Sequence, residues 1–118
     1  MRDYKKFNIW KIAHDITLDI YSLSKDFPDR EKFGLTSQIR RASTSIALNI
    51  VEGSARKSEK EFSRFLYIAA GSAAETEYLI LLLSDLEIIE LDIADTYIEK
   101  IISLRKMIYK LIQKFQNT

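Results

Sequence analysis

Apolar residues recur at alternating intervals of about four and three along four stretches of this chain, each long enough for a helix. The first carries Ile9, Ala13, Ile16, Ile20, Leu23 and Phe27, a spacing that makes one side of a helix apolar throughout. Pro28 follows directly and is expected to stop the helix, because residues ahead of proline avoid helical dihedrals. The second stretch runs from about Leu35 through Ile39, Ala42, Ile46 and Asn49 to Gly53, with the glycine read as a C-terminal cap. The third opens at Ser58 with Glu61 three residues on, the spacing of a capping box. It continues through Phe62, Leu66, Ala69, Ala73, Thr76, Ile80 and Leu83, which predicts a rod of roughly 40 Å. The fourth spans about Asp92 through Ala94, Tyr97, Ile101, Leu104, Ile108, Leu111 and Phe115.

No useful stretch alternates with the two-residue period of a strand. The connections are short, including the glycine-free one from Asp85 to Leu91, and short connections favour antiparallel neighbours. The expected fold is therefore all-α, an antiparallel up-down-up-down four-helix bundle forming a single domain over residues 1–118. Ala42, Ala69 and Ala73 are expected to let the second and third helices approach closely.

Composition narrows the function. A chain of 118 residues with 47% apolar and 30% charged residues has the balance of a folded domain rather than a disordered one. Cysteine is absent, which excludes a disulfide framework, a thiolate zinc site and a cysteine nucleophile. The opening Met1-Arg2-Asp3-Tyr4-Lys5-Lys6 lacks the pattern of a signal peptide, and the longest apolar run, Tyr78 to Leu83, is shorter than a membrane span. A cytoplasmic protein with no membrane role is the expectation. The net charge of +1 conceals segregation along the chain. Residues 34–64 carry +3, residues 65–99 carry −8 with no basic residue, and residues 100–118 carry +5 with no acidic one. Such separation directs partners more than the mean charge does.

Polar residues interrupt the second and third helices where an ordinary apolar stripe has no use for them. Gln38, Arg41, Ser45, Asn49, Glu52 and Arg56 form one row beside Ile39, Ala42 and Ile46. Ser72 and Glu75 form a smaller group next to Ala69 and Ala73. Buried polar groups must be paired, so the simplest reading is a structural network involving Gln38, Asn49, Glu52, Ser72 and Glu75. Glu52 and Glu75 on facing helices would suit acid–base work, but nothing supplies a nucleophile or an oxyanion hole, so no enzyme and no cofactor are expected. Arg56, Lys57, Lys60 and Arg64 cluster around the turn between these helices, with Arg40 and Arg41 upstream. Cations beside a helix N-terminus can hold phosphate, which makes these six the candidate nucleic-acid contacts; a solvated charged face is the plainer alternative. Lys106, Lys110 and Lys114 share a face of the fourth helix and would extend a basic rim. His14, four residues after Trp10 and without ligand-spaced neighbours, is a poor metal site. Tyr4, Phe7 and Trp10 are expected to pin the entry to the first helix.

The run Phe33-Gly34-Leu35-Thr36-Ser37-Gln38-Ile39-Arg40-Arg41-Ala42, then Asn49-Ile50-Val51-Glu52-Gly53, Arg56, Ser58, Glu61-Phe62 and Gly71-Ser72 resembles the proteins encoded in intervening sequences of bacterial 23S ribosomal RNA genes, the S23 ribosomal protein family. Trp10, Ala13, Ile20-Tyr21 and Phe27-Pro28 agree in the first helix; Val51 stands where that family commonly has alanine. The resemblance implies a four-helix bundle assembling into a ring, typically a homopentamer. It also implies likeness to accessory proteins of diversity-generating retroelements, which bind nucleic acid alongside a reverse transcriptase. Possible partners are therefore RNA or DNA, further copies of the chain, or a partner protein docked on the polar row and acidic segment.

Overall fold

The computed structural model describes residues 2–117. Four helices follow in order: α1 (Asn8–Ser24), α2 (Leu35–Ser54), α3 (Glu59–Asp85) and α4 (Leu91–Gln116), with short 3-10 turns at Tyr4–Lys6 and Asp29–Glu31. They pack as an antiparallel up-down-up-down bundle with extents of 46 × 22 × 19 Å. Contacts between chain-distant residues mark the ends. Phe7 meets Phe62 edge-on at 5.5 Å, and Phe62 meets Phe115 at 5.2 Å, so the starts of α1 and α3 lie with the end of α4. At the opposite end, Arg40 of α2 donates to Ser24 Oγ of α1 at 2.7 Å.

The apolar rows close into one interior. Ile16, Ile20, Ile39, Ile46, Ile50, Phe62, Leu66, Ile80, Leu83, Ile101, Leu104 and Ile108 are all essentially inaccessible. The most extensive pairing is between α2 and α3, the least between α1 and α4. Along α2 and α3 the buried residues include Ala42, Ser43, Ala69, Ala70 and Ala73, whose small side chains admit close helix approach. At the looser α1–α4 seam, burial raises the Tyr97 hydroxyl above its usual range, and the neighbouring Asp19 carboxylate adds to the effect by holding its proton.

Among the described residues, α3 is the one helix long and apolar enough to cross a membrane; half of its most apolar window is buried inside the bundle. A core helix passes the same test.

Helix ends show where local chemistry departs from the expected pattern. α1 stops at Ser24, three residues before Phe27, and Lys25–Phe27 turn back on carbonyls of residues 22–24. Ser58 caps α3 as its spacing predicted, accepting from the Glu61 amide at 3.1 Å. Gly53 is not a cap: α2 continues through Ser54, and Gly53 keeps negative φ. A Cβ there would stand 2.7 Å from Phe62 Cδ1 and 2.8 Å from Phe65 Cβ, so its role is to let α3 begin against the end of α2. Gly71, by contrast, faces open space. The glycine-free turn after α3 closes as a Schellman motif. Ile88 N–H donates to Leu83 O and Glu87 N–H to Ser84 O, both at 2.9 Å. The left-handed residue that this motif requires is Glu87, at φ 61°.

Gly53→Ala is expected to cost about 1–3 kcal/mol through overpacking, whereas Gly71→Ala should stabilise by about 0.5–1 kcal/mol through helix propensity. Opposite shifts in thermal midpoint, followed by circular dichroism, test the pair. Glu87→Gly exchanges about 1–2 kcal/mol of left-handed strain for about 0.5–1 kcal/mol of glycine entropy. The expected net gain is about 0.5–1 kcal/mol, measurable by urea unfolding.

Candidate nucleic-acid interface

Antiparallel packing converts the charge segregation of the sequence into two poles. Divided at the helix midpoints, one half of the rod comprises residues 2–15, 45–71 and 104–117 and carries twelve Lys/Arg against five Asp/Glu, a net +7. Residues 16–44 and 72–103 carry six against twelve, a net −6. The rod is 46 Å long, several times the screening length of about 8 Å at physiological salt. The poles therefore do not neutralise one another at their tips.

At the basic pole the turn between α2 and α3 presents Arg56, Lys57, Lys60 and Arg64, all exposed. Arg56 lies over the Phe65 ring at 4.7 Å and reaches Glu52 at 3.5 Å, an exposed pair of small energetic weight. Arg64 and Arg56 line a shallow depression with Glu61, Phe65 and Ile68. A second hollow beside it is lined by Arg2, Ser54, Ala55, Arg56 and Lys57. Arg2 was not apparent from spacing. Its Nη1 donates to the Arg56 carbonyl at 2.7 Å and to the Ser54 carbonyl at 3.5 Å, and its guanidinium lies 5.3 Å from the Phe62 ring centre. It thus covers one carbonyl at the end of α2 and one in the turn that follows while adding a cation to the cluster.

The six candidate cations do not form one surface. Arg40 and Arg41 lie in the other half of α2, with Arg40 about 21 Å along the helix from its last residue, Ser54. Arg40 is engaged inside the protein: besides Ser24, it donates to the Tyr21 carbonyl at 3.4 Å and rests over the Tyr21 ring at 4.7 Å. Arg41 is exposed and lines a groove along α2 with Phe33, Ser37, Gln38, Leu48 and Glu75.

The polar row of α2 is also divided. Asn49 Nδ2 donates to the Ser45 carbonyl at 2.8 Å and to Ser45 Oγ at 3.0 Å, and Ser45 Oγ meets Ser72 Oγ at 2.9 Å. The Ser45–Ser72 bond ties α2 to α3, with Asn49 holding Ser45 from within α2, and Thr76 continues the polar line by donating to the Ser72 carbonyl at 2.8 Å. Gln38, Glu52 and Glu75 instead stand exposed, outside this chain of bonds. The row sits at the edge of α2, so only the positions facing α3 are covered. Glu52 does not line the groove that holds Glu75. The firmer ion pair between helices is Glu77 with Arg105, 3.0 Å apart and half-buried. His14 stacks on Trp10 at 4.9 Å, and Trp10 meets Tyr4 edge-on at 5.0 Å. Among the described residues no group of three or more His, Asp or Glu could hold a metal.

The architecture defines a compact all-α bundle with a polarised charge distribution. The sequence model of the 23S rRNA-intervening sequence protein family matches residues 5–110, and the chain belongs to that family. It is also similar to a solved structure from Bacteroides thetaiotaomicron, a protein of unknown function from the S23 ribosomal protein family. The two share 28% identity with a TM-score of 0.82, covering 88% of this chain and 97% of that one. No functionally curated protein matches the chain.

Ser72→Ala removes one partner of Ser45 and should cost about 1 kcal/mol, read as a lower urea midpoint with unchanged slope.

Proposed function

We propose that the chain is a non-enzymatic, oligomeric nucleic-acid-binding bundle acting in the cytoplasm. The observation that carries this reading is the net +7 half of the rod, where Arg56, Lys57, Lys60 and Arg64 project from one turn. Arg2 adds positive charge beside that set while its guanidinium holds the Ser54 and Arg56 carbonyls, and Arg40 is withdrawn from it because it lies in the other half of α2 with its guanidinium on Ser24 and Tyr21. Backbone phosphates are the natural ligand for exposed cations that lack buried partners. Assembly into a ring, a homopentamer by family likeness, would repeat this modest patch and strengthen weak single contacts. Apolar side chains exposed on the flanks, Phe33 at 91% and Leu48, Ile68 and Tyr78 at more than half, are available for contacts between copies.

A second reading follows from the groove along α2, where Phe33, Leu48, Arg41 and Glu75 mix apolar and charged character. In that reading the groove docks a partner protein, such as a reverse transcriptase in a retroelement complex, and the bundle is its scaffold.

Charge reversal of Lys57, Lys60 and Arg64 together should abolish RNA or DNA retention while leaving helicity intact. For the parent protein, affinity should fall steeply between low and physiological salt. Filter binding across a salt series measures both. Retention unaffected by the three substitutions would remove the nucleic-acid assignment, and capture of a protein partner surviving nuclease would favour the scaffold.

A further inference from the structure

Where α3 and α4 flank the basic half, two tyrosines stand that the phosphate reading leaves unused. Tyr67 of α3 is 49% exposed and Tyr109 of α4 is 44% exposed. Their ring centres lie 6.4 Å apart with planes inclined at 64°. Rings inclined in this way cannot clamp one base between them as parallel rings would. Each leaves nearly half of its surface accessible to a separate planar group.

Their surroundings are cationic and amide-rich. On α3, Lys60 and Arg64 precede Tyr67 by seven and three residues, two turns and one turn of the same exposed side. On α4, Lys106 precedes Tyr109 by three residues, while Gln113 and Gln116 follow at four and seven. The Gln116 amide donates to the Tyr67 hydroxyl at 3.1 Å, holding that ring upright across the helix junction. The track has a limit: one turn before Tyr109, Arg105 is neutralised by Glu77 at 3.0 Å, and the acidic half follows.

We infer that the Tyr67–Tyr109 face is a stacking platform for single-stranded nucleic acid, with unpaired bases on the two rings and phosphates on Lys60, Arg64 and Lys106. The inference rests on the nucleic-acid reading above and narrows it to single strands. Aromatic faces interleaved with cations suit unpaired strands, because in a duplex the base faces are already stacked on one another. No base-specific recognition follows, since every base has a face to stack.

The test uses fluorescence anisotropy of the full chain with labelled oligouridine, oligothymidine and an RNA duplex of equal length, at fixed salt. Tyr67→Ala and Tyr109→Ala should each weaken single-strand binding by about five- to a hundredfold and leave duplex binding unchanged. Tyr67→Phe and Tyr109→Phe keep the ring and should stay within about twofold of the parent, which separates stacking from loss of the Gln116 bond or of the fold. Equal affinity of the parent for strand and duplex would overturn the platform. So would alanine variants that retain single strands but change oligomeric mass, which would make the two rings a contact between copies. If charge reversal at Lys57, Lys60 and Arg64 releases nucleic acid while the tyrosine variants do not, stacking falls and the phosphate reading stands. If the parent retains neither strand nor duplex, both fall.

Discussion

Close approach of α2 and α3 is the constraint on which the remaining architecture depends. Ala42, Ala69 and Ala73 remove side-chain bulk from the seam, and Gly53 removes the last obstruction where Phe62 and Phe65 cross the end of α2. Once the two helices are that near, Ser45 of α2, which Asn49 already holds from one turn on, falls within hydrogen-bonding reach of Ser72 of α3. A sliding of one helix along the other would break that bond, at a cost of about 1 kcal/mol. Packing sets the separation, and the Ser45–Ser72 bond favours one register. Neither would hold alone, since small apolar contacts leave sliding nearly unopposed.

That seam also decides where charge ends up. The turn at Ala55–Ser58 is short because both helices are already in contact there, so Arg56, Lys57, Lys60 and Arg64 are confined to one corner. Arg2 is drawn to the same corner by the Ser54 carbonyl of α2 and the Arg56 carbonyl of the turn. Four-helix closure then brings the basic end of α4 alongside. The acidic run between Phe65 and Glu99 is carried to the far end by the length of α3.

Much of this was legible in the chain. Apolar rows with helical spacing locate all four helices to within a few residues, because burial of one face dominates their placement. The N-cap at Ser58 is a purely local device, and the Ser58–Glu61 spacing locates it. Gly53 was misread because its neighbours, Phe62 and Phe65, come from another helix, and a glycine near a helix end looks like a cap in one dimension. The left-handed turn at Glu87 carries no glycine and therefore no signal. Arg2 escaped notice because its partners lie more than fifty residues away. The six candidate cations split because the row along α2 is longer than any one patch; Arg40 then found Ser24 and Tyr21 rather than solvent. The same edge position explains why Asn49 is covered and Glu52 is not.

The opposed poles give the rod a permanent electric moment along its axis. In the field of any polyanion such a body experiences a torque before contact, turning its positive tip forward as it diffuses in. Dissolved ions confine this guidance to short range, so the final alignment is made within a few solvent layers of the surface. Orientation is thus built into the topology of the bundle, with no dedicated guiding residue.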